Sequence, residues 1–196
     1  MLLKVGQFQW RRSGLAASAP RVNLIGASGN ITNANWYKTN ATAVGTADRD
    51  GGNNAAVLQA AASTFTSVIS SGAIAPVPTV TGSHVFSVIA KQGTGATDAN
   101  KLILLNTVTS SIILNFSINF SSGVISGALI PPGTTSTDLG GGWWLIVAPF
   151  ASLTAGERIN TYLAFSGATE TAGENAIWYG PMLEVGTTAP AARVLT

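Results

Sequence analysis

Ile112-Ile113-Leu114-Asn115-Phe116-Ser117-Ile118-Asn119-Phe120-Ser121-Ser122-Gly123-Val124-Ile125 is the stretch that decides the fold class. Ile112, Leu114, Phe116, Ile118 and Phe120 alternate with Asn115, Ser117 and Asn119. Successive side chains of a strand point to opposite faces, so this period of two reads as a strand with one buried and one wetted face. A surface helix would space its apolar residues by three and four instead. Ser121-Ser122-Gly123 then supplies a hairpin turn, and Val124-Ile125 begins the partner strand.

The same logic extends outward from this hairpin. Phe86, Val88 and Ala90 alternate with Val85, Ser87 and Ile89, and Ile159–Phe165 and Ala176–Tyr179 are further strand candidates. Glycine and proline punctuate the chain at short intervals. Only Asn54–Ala62 carries helix-favouring Ala, Leu and Gln, which allows one short helix there. No repeat of fixed period is present. Many short strands separated by turn signals predict an all-β fold, an antiparallel β-sandwich of the jelly-roll kind. The predicted organisation is an extended N-terminal arm over residues 1–21 and a sandwich domain over 22–196.

Charged residues make up 9% of the chain and hydrophobic ones 46%, against roughly 25% charged in an ordinary globular protein. Low charge with high hydrophobicity excludes an intrinsically disordered chain. No Asp, Glu, Lys or Arg occurs from Gly51 to Ala90 or from Leu102 to Thr137. Free monomers generally keep themselves soluble with charge, so much of this surface is expected to lie against other subunits. The longest strictly apolar run, Trp143–Ala151, contains Pro149 and falls far short of the ~20 residues of a membrane span. No apolar segment of secretion-signal length follows Lys4. The absence of cysteine removes disulfides, thiolate metal sites and cysteine nucleophiles. A net charge of +2 is too small to predict nucleic-acid binding.

Lys4, Arg11, Arg12 and Arg21 all precede the first acid, Asp48. Within the arm, Phe8 and Trp10 beside Arg11 and Arg12 are the residue types that dominate interface energetics. They are expected to plug into and pair with a neighbouring subunit; a partly ordered terminus is the alternative.

Little in the sequence points to catalysis. His84 is the only histidine, so a Ser-His-Asp triad would have to use it. No nucleophile-elbow motif accompanies it, and a strand-edge or surface position is expected. The acids other than Glu184 lie in Gly/Thr/Ala-rich segments that read as solvated loops, not as the paired carboxylates of a glycosidase. Asp48-Arg49-Asp50-Gly51-Gly52-Asn53 resembles the start of a calcium loop, but Gln59 stands where the bidentate Glu is needed. A tight turn explains it better. No catalytic residue, cofactor or metal site is therefore expected. Sugar binding needs aromatic platforms with amides and hydroxyls around them. Trp36-Tyr37, flanked by Asn33, Asn35 and Asn40, is the first candidate and Trp178-Tyr179 the second. Core packing or subunit contact is the alternative for each.

Five blocks, in order, carry a resemblance. Asn23-Leu24-Ile25 followed by Trp36 resembles a first strand. Asp50-Gly51 with Ala55-Ala56 resembles an Asp-Gly-x-x-x-Ala turn, and Val85–Lys91 a Phe-Ser-Val-Tyr-x-Lys strand. Gly140–Ile146 resembles a Gly-x-Gly-Trp-Tyr-Arg-Ile strand, and Ile177–Pro190 an aromatic-Gly-x-x-Leu-Glu-x-Gly close. Together they resemble the carbohydrate-binding-module-like jelly roll of phage head-decoration, head-fibre and tail proteins. The resemblance implies a non-enzymatic virion part, assembled in the bacterial host cytoplasm, that decorates or cements a capsid or a tail-associated fibre. Its implied partners are capsid or tail and fibre subunits and further copies of itself, as trimers for example. Adhesion to a host surface glycan is the alternative. Where that family places polar residues on the outward face of the Trp143–Val147 strand, this chain has Leu145 and Val147. A strand apolar on both faces needs cover on both, from a subunit, a loop or the arm.

Overall fold

The alternation read around Phe116 is present from Leu114 onward. Leu114, Phe116 and Ile118 are fully buried, and Phe120 nearly so. Ile112 departs from it. A register shift between Leu104 and Leu105 against this strand turns Ile112 outward, where it is 47% exposed. One extra residue in a strand reverses the facing of everything beyond it.

The computed structural model describes residues 23–25, 29–61, 67–69, 77–78, 81–94, 100–165 and 172–186; these contain thirteen strands and no helix. Phe8, Trp10, Arg11 and Arg12 lie outside the described residues. One antiparallel sheet contains β1 (Tyr37–Thr39), β4 (Ser67–Ile69), β12 (Arg158–Phe165), β7 (Asn100–Asn106), β8 (Ser111–Ile118) and β9 (Ile125–Leu129), in that spatial order. A two-residue strand, β5 (Val77–Pro78), also pairs with β12. The second sheet runs β10 (Thr135–Asp138), β11 (Trp143–Leu153), β6 (Gly82–Gln92), β13 (Asn175–Val185), β3 (Ala55–Ala60) and β2 (Ala41–Thr46). The inward faces of both meet in one apolar core, with Leu102, Phe116 and Leu163 from the first sheet and Phe86, Ile146 and Trp178 from the second. Each such large side chain contributes roughly 1.5–3 kcal/mol by leaving water. The expected all-β antiparallel sandwich is the observed architecture.

Where a short helix was allowed, within Asn54–Ala62, Ala55–Ala60 is a strand. Ala56, Leu58 and Ala60 face the core, while Val57 and Gln59 are half-exposed. Ala and Gln favour helix only weakly, and pairing on both edges, with β2 and β13, outweighs that preference.

Two turns place the residues of interest. Before β1, the Asn30 and Asn33 side chains accept the backbone N–H groups of Thr32 and Asn35 at 3.0 and 2.9 Å. Lys38 Nζ donates to the carbonyls of Thr32, Asn33 and Trp36, the last at 2.8 Å. This clasp drops Trp36 into the core, where it is 1% exposed. Between β8 and β9, Asn119 Oδ1 accepts the N–H groups of Ser121 and Ser122, and Gly123 takes a φ of 72°. That is the hairpin predicted from Ser121-Ser122-Gly123.

Candidate glycan-binding face

The structure separates the four aromatic residues proposed as sugar platforms. Trp36 and Trp178 are 1% and 0% exposed and form part of the core. Neither can offer a ring face to a ligand, which corrects the expectation for both: their apolar area is used between the sheets. Tyr179 is also buried, on the opposite face of the second sheet, and its hydroxyl donates to Asp50 Oδ2 at 3.1 Å. Tyr37 alone is open, 56% exposed.

Tyr37 has a partner that sequence reading passed over. In the first sheet Tyr37 stands opposite Ile69, and Ile69 opposite Tyr162. Opposed residues share a face, so the two phenols look outward from the same side, two strand spacings or roughly 10 Å apart. The row continues through Ile103 to Asn115. The next row on this face contains Thr39, Lys101 and Ser117. Tyr162, Ile103, Asn115, Thr39, Lys101 and Ser117 are half-exposed. Two aromatic rings with an amide, hydroxyls and an ammonium beside them form a surface able to stack on pyranose C–H faces and bond to ring hydroxyls. Ile159, Thr161 and Leu163 take the inward parity of β12, which leaves Tyr162 outward.

The second sheet's outward face is different. Trp143, Leu145 and Val147 share the outward parity of β11, and Trp144, Ile146 and Ala148 the inward one. Trp143, Ile89, Tyr179 and Ala55 form a small second cluster, against which Leu139, Leu145 and Ile177 pack. Lys91 Nζ lies 5.5 Å from the Trp143 ring centroid. Part of the cover that β11 requires therefore comes from the chain's own Leu139 and Lys91. Leu145 and Val147 are half-buried there.

His84 is not at the surface, contrary to expectation: it is 0% exposed, its Nδ1 lies 2.9 Å from the Gly82 carbonyl, and its ring stacks on Phe150 at 5.9 Å. Its parity on β6 matches Phe86, so the strand that carries it turns it inward. In front of Phe150 a cleft of about 310 Å³ is lined by Ser83, Pro132, Pro149 and Ala151. It offers almost no polar groups for orienting a sugar. Glu184 is fully buried on β13.

The Asp48 loop is a turn. Asp48 Oδ1 accepts the N–H groups of Asp50 and Gly52 at 2.9 and 2.8 Å, and Oδ2 accepts the N–H and side-chain amide of Asn54. Burial alone would raise the Asp48 pKa, but these donors outweigh it and hold the carboxyl below its ordinary value. Among the described residues no group of three or more His, Cys, Asp and Glu could hold a metal, and no helix is long and apolar enough to cross a membrane.

No family model matches the chain, and no curated protein sequence matches it. Solved structures do. The CBM22-1 xylan-binding domain of Paenibacillus barcinonensis Xyn10C is 12% identical, with a TM-score of 0.51 over 88% of this chain and 100% of that one. An arabinose-bound GH51 α-L-arabinofuranosidase is 10% identical with a TM-score of 0.50 over 82% of this chain, which spans only 26% of the hydrolase. A CBM6 module of Cellvibrio mixtus lichenase 5A, solved with cellotriose, is 14% identical with a TM-score of 0.43, over 83% of this chain and 95% of that one. The likeness is one of fold. This chain has the jelly-roll sandwich of carbohydrate-binding modules.

Proposed function

We propose that this chain is a non-catalytic glycan-binding module whose site is the outward face of the first sheet, with Tyr37 and Tyr162 as platforms and Lys101, Asn115 and Ser117 as polar contacts. The observation that carries this reading is the placement of two outward tyrosines on one row, beside an amide and hydroxyls, on the outward face of the first sheet. The shared fold of the xylan-binding domain supports it, although fold alone does not assign function. The ordered sequence blocks support a setting on the outside of a phage particle, with residues 1–21 as the anchor to capsid, tail or fibre subunits and the sandwich turned toward host surface glycan. Leu145 and Val147, apolar and half-buried on the outward face of β11, favour a second role as contacts to neighbouring subunits.

Affinity electrophoresis of the full chain through gels containing soluble polysaccharides tests the reading. Retardation by at least one polysaccharide, abolished by Tyr37→Ala and by Tyr162→Ala while the far-ultraviolet spectrum is unchanged, is the expected result. No retardation across a broad panel, or retardation that survives both substitutions, sinks it.

A further inference from the structure

Among the described residues the strand orders of the two sheets end on β1, β9, β10 and β2, and the first three carry a feature that discourages pairing with another chain. β1 is three residues long and contains Lys38. β9 is bulged, because Gly127 and Leu129 oppose the consecutive residues Phe116 and Asn115. β10 has four residues and ends on Asp138. Short length, charge and bulges are the means by which sheet edges avoid one another. β2, the outer strand of the second sheet, has none of them. Its six residues, Ala41-Thr42-Ala43-Val44-Gly45-Thr46, pair with β3 in unbroken register from Ala41↔Ala60 to Thr46↔Ala55. They include no charge and no proline. Val44 stands 63% exposed at the centre, and a Cβ built on Gly45 would meet nothing within 4 Å.

We infer that β2 is a self-association edge, on which a second copy of this chain lays its own β2 antiparallel to make one continuous sheet of two six-stranded halves. The strand is complementary to itself. A twofold axis through Val44 sets Val44 against Val44, Thr42 against Thr46 and Ala43 against Gly45. The outward face then gains an apolar pair flanked by threonine pairs, which are favourable cross-strand neighbours. The inward side gains only small residues, so the two backbones can close to the normal ladder distance. No like charges meet anywhere along the pair. The Val44 row also extends across the sheet through Val57 and Ile177 to Lys91, so the joined edge continues the second sheet's outward apolar face and does not touch the Tyr37–Tyr162 face of the first sheet.

Sedimentation equilibrium on the full chain tests this without any ligand. A mass of two copies is expected. Val44→Lys puts a cation against its own copy and should weaken association at least about tenfold, leaving a folded single copy by circular dichroism. Thr42→Lys and Thr46→Glu singly should weaken it as well. Combined in one chain they place each introduced cation opposite the other copy's introduced carboxylate and should restore the dimer. A wild-type mass of one copy overturns the inference, as does a dimer indifferent to Val44→Lys. Failure of the combined variant to recover the dimer overturns the twofold pairing.

Discussion

The indole Nε1 of Trp144 donates to the carbonyl oxygen of Phe120 at 2.9 Å. Trp144 belongs to β11 and Phe120 follows β8, so this bond ties the second sheet to the hairpin end of the first. Gly123 completes the joint. A Cβ built there would lie 2.2 Å from the Trp144 ring, and its φ of 72° is one that L side chains rarely adopt. Gly123→Ala should therefore destabilise by about 2–4 kcal/mol, from overpacking and backbone strain together. Trp144→Phe should cost less, about 1 kcal/mol for the lost hydrogen bond plus a packing contribution. Denaturant midpoints of the two variants against the parent check the ranking.

Neighbouring aromatic residues should respond oppositely to truncation. Trp36→Ala opens a hole in the core and should cost about 3–5 kcal/mol. Tyr37→Ala removes an exposed ring and should move the melting temperature little, while eliminating retention on polysaccharide. Differential scanning calorimetry with affinity electrophoresis separates the two effects.

Asp48 predicts a pH dependence. Its pKa in the fold lies below the ordinary 3.8, so the folded state holds fewer protons there than the unfolded one. The stability it contributes is fully present above pH 4 and is lost as the pH falls through the folded-state pKa. Asp48→Asn should lower stability at pH 7 by about 2 kcal/mol, the scale of hydrogen bonds to a charged acceptor. It should also flatten the decline in acid. Urea titrations at pH 7 and below pH 4 give both numbers.

Lys38 is clasped by three carbonyls in a partly buried site, and burial lowers its pKa. Lys38→Met keeps the apolar stem and removes the donors. The carbonyls of Thr32, Asn33 and Trp36 lose their cation, and stability should fall by about 1–3 kcal/mol. Hydrogen exchange should rise first at the amides of Asn33 and Trp36, whose bonds close this turn.

Fold class was legible because one buried face imposes a period of two, and Leu114–Phe120 displays it without interruption, whereas Val85–Ala90 is buried on both faces. Ile112 was misread because a bulge leaves no mark in composition. The strand at Ala55–Ala60 was obscured by residues whose weak local preference yields to pairing on two edges. The candidate site was half legible. Trp36-Tyr37 stood out beside asparagines and Trp178-Tyr179 came second, but aromatic type is silent about which way a strand faces. Tyr162 belongs to the site through a register with Ile69, nearly a hundred positions away in sequence, and no local pattern encodes that. His84 looked peripheral because it begins a strand; only the stacking of β11 across it shows otherwise.

β13 lies in the middle of the second sheet yet comes last among the described strands. One edge pairs with β6 along its length; the other pairs with β3 in its first half and, beyond the irregularity between Tyr179 and Met182, bonds to Asn23 and Leu24, with Leu183 N–H donating to Asn23 Oδ1 across 160 positions. While the chain is being synthesised, β3 and the Asn23 segment must wait without their neighbour until Val185 has left the ribosome. Closure of the second sheet therefore waits for β13, and pairings between segments so far apart in sequence are slow to form.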